Sequence, residues 1–336
     1  MAEYFEERPG FAGARRASGR LGGPWLGPPC QTERGFALVA VLLVLGLLGI
    51  IGAEFGYSMR LEAEAMRAWR DNMRAAHLAE AGVEQALREL AGDFQLTSVP
   101  FDGVLTFYKQ GPPPAALPRL IRTKARLGPG EFSYRITDEQ ARINVNTATH
   151  DQLDKLLQCL GVDKINRDQI VDSILDWIDT NDEHRMNGAE SDDYYLKLSP
   201  PYRARNGPIE SVTELLQIKG VTQAIFEGID GRPGLRDVLT ARGVGRVNVN
   251  TAGPVVFCAM GVSEAQVSSI LQGRLETPQA LVPANLGNAA NFFVTTSQTF
   301  RIEAEGFIEG RLRASVTAIV QRRNDGIAML EWSGVR

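Results

Sequence analysis

Histidine is scarce in this 336-residue chain: His77, His150 and His184 are the full set. None stands in a Ser-His-Asp or Cys-His pattern, and no glycine-rich loop that could cradle a phosphate is present. Nucleophilic hydrolysis and nucleotide chemistry therefore find no residues to carry them, and the chain is expected not to be an enzyme. Cysteine is equally rare, at 30, 159 and 258. Cys159 and Cys258 lie in apolar helical segments. A disulfide between them is possible in an oxidising compartment, but two buried free thiols are the preferred expectation. Excess positive charge is missing too, the formal net charge being −4. That balance gives no electrostatic reason to expect nucleic acid.

What the chain does have is an uncharged run, FALVAVLLVLGLLGIIGA, from Phe36 to Ala53. As a helix it would extend roughly 27 Å, close to the hydrocarbon thickness of a bilayer. The helical pattern continues past it. From Glu54 to Leu90 there is no proline, and Met66, Trp69, Met73, Ala76, Ala79, Val83, Leu87 and Leu90 recur at three- or four-residue steps. Such spacing marks one face of an α-helix. A single helix is expected, with its first third in lipid and its amphipathic remainder packed against a soluble domain. Two other readings of the start stay open: a signal peptide cut after Ala53, and an uncleaved anchor. The Gly-, Pro- and Arg-rich residues before the run are expected to be disordered.

Arg34-Gly35-Phe36 resembles the prepilin peptidase site, in which a charged leader ends in glycine and the mature chain begins with phenylalanine. The stem ending in Ala79-Glu80-Ala81-Gly82-Val83-Glu84 is similar to those of pilins and pseudopilins. Most members carry a glutamate five residues into the mature chain, where this chain has Ala40. With that departure the chain resembles the minor pseudopilin K family of type II secretion. The resemblance implies cleavage after Gly35, a single-pass inner-membrane protein with its globular part in the periplasm, and I- and J-type minor pseudopilins as partners beside the prepilin peptidase. It also implies a place for Ala40. A carboxylate at mid-membrane depth is unfavourable unless paired, and in filament-forming pilins it pairs with the terminal amine of the subunit above. A subunit with nothing above it has no such amine to meet, so Ala40 marks a tip position. Read alone, Ala40 is equally a small residue in an ordinary anchor.

Beyond the stem the pattern turns to strands. Phe132–Ile136 alternates, as do Thr299–Phe307 and Arg311–Arg322, the last two joined by Glu309-Gly310 as a hairpin turn. The intervening stretch reads helical, and Phe94–Leu127, rich in proline, is left as either strand connection or loop. The chain is thus an α+β protein: a leader over 1–35, a transmembrane helix over 36–54, an amphipathic stem over 55–92, sheet over 93–142, an all-α insert over 143–297, a β hairpin over 298–323 and a tail over 324–336. Within the insert, Arg142-Ile-Asn-Val-Asn-Thr-Ala148 returns as Arg246-Val-Asn-Val-Asn-Thr-Ala252, the change confined to alternative β-branched residues. Each copy leads to a Gly-Val step, Gly161-Val162 and Gly261-Val262, with a third at Gly220-Val221. The Asn and Thr residues are expected to cap the following helices. These units resemble helix-hairpin-helix and sterile-alpha-motif-like folds, which opens a membrane-tethered DNA receptor as an alternative. The turns lack the basic stripe that phosphate gripping needs.

The densest chemistry lies in DWIDTNDEHRMNGAESDD, Asp176 to Asp193, with seven carboxylates in eighteen residues. Mutual repulsion there would be relieved by a hard cation that takes oxygen ligands, calcium first. Counted from Asp179 the loop departs from an EF-hand, because His184 stands where the sharp turn wants glycine. The family resemblance implies structural calcium in such an insert, held here by Asp179, Asp182, Glu190, Asp192 and Asp193, with Asn181 and Glu183 as lesser candidates. A solvated acidic loop without metal is the alternative. The resulting expectation is an assembly protein at the tip of a type II secretion pseudopilus; a minor pilin of a type IV pilus is the runner-up within the same machinery class.

Overall fold

The computed structural model describes residues 33–334; residues 1–32, with Cys30 and most of the expected leader, and the last two residues lie outside the described residues. Two compact units divide the chain, 1–65 and 66–336. In the first, the described residues are helical and those from Phe36 onward are exposed. They belong to α1, Glu33–Leu90, which matches the uninterrupted pattern read from the sequence.

The second unit contains the rest of α1 and an α+β body. From Ala75 onward α1 packs on a sheet, burying Ala75, Leu78, Ala79, Val83, Ala86 and Leu90 against Phe132, Tyr134, Ile136, Phe300, Ile302 and Ala304. Small residues let the two backbones approach. A Cβ on Gly306 would lie 1.9 Å from the Ala75 carbonyl oxygen, and one on Gly82 would lie 3.1 Å from Ala304 Cβ. Strands β1 (Leu96–Ser98), β2 (Thr106–Lys109) and β3 (Ala115–Ala116) form a small antiparallel sheet. The proline-rich stretch is therefore a strand connection, not a loose loop. Next come β4 (Ala125–Leu127) and β5 (Gly130–Asp138), and after the insert β10 (Thr299–Ile308), β11 (Arg311–Arg323) and β12 (Gly326–Ser333), with the short insert strands β6 (Ile143–Asn144), β7 (Leu239–Thr240), β8 (Val247–Asn248) and β9 (Phe293–Val294) lying between.

The main sheet runs β12-β11-β10-β5-β4, all antiparallel. Phe300, Ile302, Ala304 and Gly306 face the core as their alternation requires. Glu309 and Gly310 take positive φ, 53° and 74°, in the β10–β11 turn. One boundary is corrected. The region from 324 onward is no tail, because β12 adds a strand to the expected hairpin. Asn324-Asp325 supplies the turn, and β12 begins at Gly326.

The insert carries its own core, centred on Leu153, Leu156, Ile170, Ile174, Phe257 and Val256. It is mainly helical: α2 (His150–Cys159), α3 (Lys164–Ile178), α4 (Gln223–Glu227), α5 (Leu235–Val238), α6 (Pro254–Ala259) and α7 (Glu264–Glu276). Short stretches of tighter helix and two small parallel pairings, β6 with β7 and β8 with β9, complete it, so "all-α" is only nearly right. All three glycines of the Gly-Val steps take positive φ: Gly161 84°, Gly220 87° and Gly261 78°. They are the hairpin turns between successive helices, and no side chain adopts that backbone without strain.

Two further expectations are corrected. Thr149 and Gly253, not the repeat asparagines, occupy the N-cap positions of α2 and α6. The asparagines instead staple distant backbone. Asn146 donates to the Ile209 and Ala241 carbonyls, and Asn250 in the second copy donates to those of Gln279 and Thr295. Second, Cys159 and Cys258 are joined by a disulfide, with Cα atoms 6.3 Å apart. They are not buried thiols, since Cys258 is exposed and Cys159 half-buried. Each cysteine falls near the end of its helix, and packing of α2 on α6 brings those ends together.

Candidate functional site

The acidic loop leaves α3 at its C-cap Asp179. Its path is set by carboxylates that accept backbone amides. Asp176, fully buried in the last turn of α3, accepts the N–H of Arg185 at 3.1 Å and of Ala189 at 3.0 Å. The backbone passes so close here that a Cβ on Gly188 would lie 1.8 Å from Asp176 Oδ2. One turn earlier, Asp172 accepts both the backbone and the side-chain N–H of Asn187, at 3.1 and 3.0 Å. Arg185 then closes the loop on itself: its Nη1 donates to Asp176 Oδ1 at 2.6 Å and to Asp179 Oδ2 at 2.7 Å.

Glu190 is the odd member. It is 2% exposed, and among the described residues neither of its carboxylate oxygens has a hydrogen-bond partner. Burial, then the charge of Asp176 and more weakly of Asp179 and Asp182, pushes its carboxyl up to about 7. The other candidates are more open. Asp179 is half-buried and also accepts from Asn181 Nδ2 at 2.8 Å. Exposed Asp182 accepts from Asn206 Nδ2 at 2.8 Å. Asp193 caps the backbone N–H of Glu190 at 2.8 Å, and Asp192 beside it is exposed, as are Asn181 and Glu183. Among the described residues no three His, Cys, Asp or Glu side chains converge as metal ligands would. So Glu190 lies within the field of Asp179 and Asp182 and is tied to Asp193, but the five do not form one cage.

The chemistry of the donors nevertheless fits a hard cation. A buried carboxylate with no donor, surrounded by like charges, is unfavourable by several kcal/mol unless a cation reaches it. Asp172 and Arg185 were not among the candidates. The signal for Arg185 was available: it is the single arginine inside a run of seven carboxylates. Asp172 showed only as an acid one turn before Asp176 on a helix whose neighbours are apolar.

Two polar clusters join insert to sheet. Asp138, at the end of β5, is buried and accepts from Asn248 Nδ2 at 3.1 Å, Thr251 Oγ1 at 2.6 Å and the Ser297 hydroxyl. Burial raises its carboxyl despite those donors. Next to it, buried Glu139 meets Arg142, Arg301 and Thr240; burial opposes its charge, yet the two guanidinium groups hold it below the usual range.

At the other end of the chain, Gly35 and Phe36 lie within α1, with Phe36 79% exposed and Ala40 exposed. The helix contains one candidate membrane span, of mean hydropathy 2.9 and with none of it buried. Below that span the stem's expected apolar face divides. Ala76, Ala79, Val83 and Leu90 are buried against the sheet, whereas Met66, Trp69 and Met73 remain exposed.

Residues 134–230 match the family described as type II secretion system (T2SS), protein K. The chain is 28% identical over 209 residues to a putative type II secretion system protein K of Escherichia coli K12, covering 58% of this chain and 60% of that protein. It is 26% identical over 278 residues to the type II secretion system protein K of Klebsiella pneumoniae, covering 77% and 80%. The first of these matches thus spans less than two thirds of its relative. The fold also matches a chain of the crystal structure of the GspK-GspI-GspJ complex from enterotoxigenic E. coli, with a TM-score of 0.57 at 18% identity, over 82% of this chain and 98% of that one. The matched residues run from β5 through the first copy of the repeat, the acidic loop and the first two glycine turns, so this chain is similar to type II secretion system protein K over its insert and shares the fold of the crystallised complex's chain.

Proposed function

We propose that this protein sits at the tip of a type II secretion pseudopilus and promotes its assembly for export of folded proteins across the outer membrane. It is made as a precursor, cut after Gly35 by the prepilin peptidase and methylated on Phe36. The apolar helix stays in the inner membrane, and the body lies in the periplasm. The observation that carries the reading is the divided stem. From Ala75 onward α1 is consumed by its own sheet, while Met66, Trp69 and Met73 present large apolar side chains outward. Exposed apolar side chains grouped in this way need a neighbour, and stems of I- and J-type minor pseudopilins supply one. The complex in which the structural relative was crystallised supports that choice. Ala40 removes the acid that would seek a subunit above, and the insert leaves little room for one.

Calcium in the acidic loop is part of the same reading. Glu190 would hold it, with Asp179 and Asp182 from the loop's start and Asp192 and Asp193 from its end. The ion would supply positive charge and fix a segment with few backbone hydrogen bonds of its own, so its role would be structural. No catalytic role is assigned.

Co-purification tests the assembly reading. The full chain, extracted in detergent with co-expressed I- and J-type minor pseudopilins, should retain both. Trp69→Asp should release them while the melting temperature stays within about a degree, since surface changes away from packed features are nearly neutral. Retention unaffected by Trp69→Asp, or no complex with the wild-type chain, would refute it.

A further inference from the structure

Seven carboxylates crowd the loop, yet the cation that binds two of them in this structure belongs to the protein. Arg185 Nη1 lies 2.6 Å from Asp176 Oδ1 and 2.7 Å from Asp179 Oδ2. Asp176 is buried and its other oxygen is taken by the N–H of Ala189 at 3.0 Å. Glu190, also buried, finds no hydrogen-bond donor for either oxygen among the described residues. Thus the acidic site contains one satisfied pair and one unsatisfied carboxylate, and the arginine reaches only the pair. The Arg185 side chain is 40% exposed, so it can swing outward without leaving a cavity. Its backbone N–H remains on Asp176 independently of where the guanidinium goes.

We propose that Arg185 is a built-in counter-ion that competes with calcium for Asp179 and must release that carboxylate when the ion binds. The proposal rests on the calcium reading above. A carboxylate oxygen held at 2.7 Å by a guanidinium presents it with a positive charge, and a divalent ion at the same oxygen would meet that charge at close range. Two cations that repel across a few ångströms are negatively coupled, and removing the resident one should tighten the other. Glu190 explains why calcium would still win: the arginine leaves that carboxylate uncompensated, and Glu190 and Asp179, as residues that would hold the ion, would both have their charge offset by it. The arginine thereby keeps the loop folded at low calcium and sets the concentration at which the ion takes over.

The test is calcium titration of the detergent-solubilised full chain by calorimetry, beside Arg185→Gln, Arg185→Lys and Glu190→Gln. Arg185→Gln should bind calcium on the order of tenfold more tightly than wild type, the usual scale of such a coupling. Its melting temperature in chelator should be lower and its calcium-induced rise larger. Arg185→Lys, which keeps the charge without the fork, should fall between. If Arg185→Gln melts like wild type in saturating calcium but binds the ion equally or more weakly, the competition is refuted while the calcium reading stands. If neither wild type nor Arg185→Gln takes up calcium, both fall. Should Arg185→Gln fail to fold, the charge-retaining Arg185→Lys decides alone: affinity equal to or weaker than wild type overturns the proposal, and tighter binding supports it.

Discussion

Replacing Glu190 by glutamine should stabilise the protein in chelator at pH 8 and abolish its response to calcium. The Glu190 carboxylate is buried, has no donor among the described residues and faces the charges of Asp176, Asp179 and Asp182. Its ordinary value is 4.5 and in the fold it is pushed up to about 7. Between those values the folded chain holds a proton that the unfolded chain gives up, so folding stability falls as pH rises through that window. At about 1.4 kcal/mol for each pH unit, the full effect above pH 7 is about 3 kcal/mol. Glutamine keeps the shape and carries no charge. In chelator the variant should therefore gain up to about 3 kcal/mol at pH 8 and almost nothing at pH 4.5. Calcium should reverse the order, stabilising the wild type by mass action and leaving the variant unchanged. Denaturant unfolding followed by circular dichroism, at several pH values with chelator or calcium, measures all four conditions. Parallel pH profiles for the two proteins in chelator would refute the argument, as would a variant less stable than wild type at pH 8.

Two further outcomes concern the scaffold. Gly306→Ala places a Cβ 1.9 Å from the Ala75 carbonyl oxygen, which is backbone and cannot rotate away; overpacking of this kind should lower stability by about 1–3 kcal/mol in denaturant unfolding, whereas Gly310→Ala, with no atom within 4 Å but φ of 74°, is strained only by its backbone. Asn248→Ala should destabilise more than Asn144→Ala although the two occupy the same place in the repeat. Both lose the oxygen that accepts the backbone N–H two residues on; the first also loses donation to Thr97, Asp138 and Ser297 in a fully buried cluster, and the second only its donation to the Gly243 carbonyl. Stranding buried partners is worth about 1–3 kcal/mol, and the same unfolding assay should rank the pair; equal losses would contradict the role given to Asp138.

Much of this fold is visible in local pattern because the forces involved are local. The three-and-four spacing from Met66 to Leu90 dictates a helix, and the alternation from Phe300 to Gly306 dictates a strand with one buried face. The doubled Asn-Val-Asn-Thr-Ala motif reports that one supersecondary unit occurs twice. Less visible is whatever depends on partners far along the chain. A helix N-cap and a buried staple both suit asparagine, and only the fold shows Asn146 and Asn250 reaching carbonyls 29 to 95 residues away. The Cys159–Cys258 pairing spans 99 residues and depends on how α2 packs against α6. Met66, Trp69 and Met73 read as one face with Ala76 and Leu90, and the sequence offers no mark of where the protein's own sheet stops covering that face.

The insert's attachment follows from the same topology. β5 and β10 are adjacent antiparallel strands, with Asp138 opposite Phe300, so the whole insert occupies the place of one hairpin connection. Lengthening such a connection adds little closure entropy, because that term grows only with the logarithm of its length. What a long connection lacks is direction. The two junction clusters provide it: Asp138 is fastened to Asn248 and Thr251 of the second repeat and to Ser297 before β10, and Glu139 to Arg142 of the first repeat, to Thr240 of β7 and to Arg301 of β10. Both are buried, and breaking either leaves charge or donors without partners. A bulky domain on a loose tether could swing aside and let another subunit stack. One fastened at both repeats to the ends of two central strands is held against such a swing, and for the capping role proposed above that attachment matters as much as the insert's size.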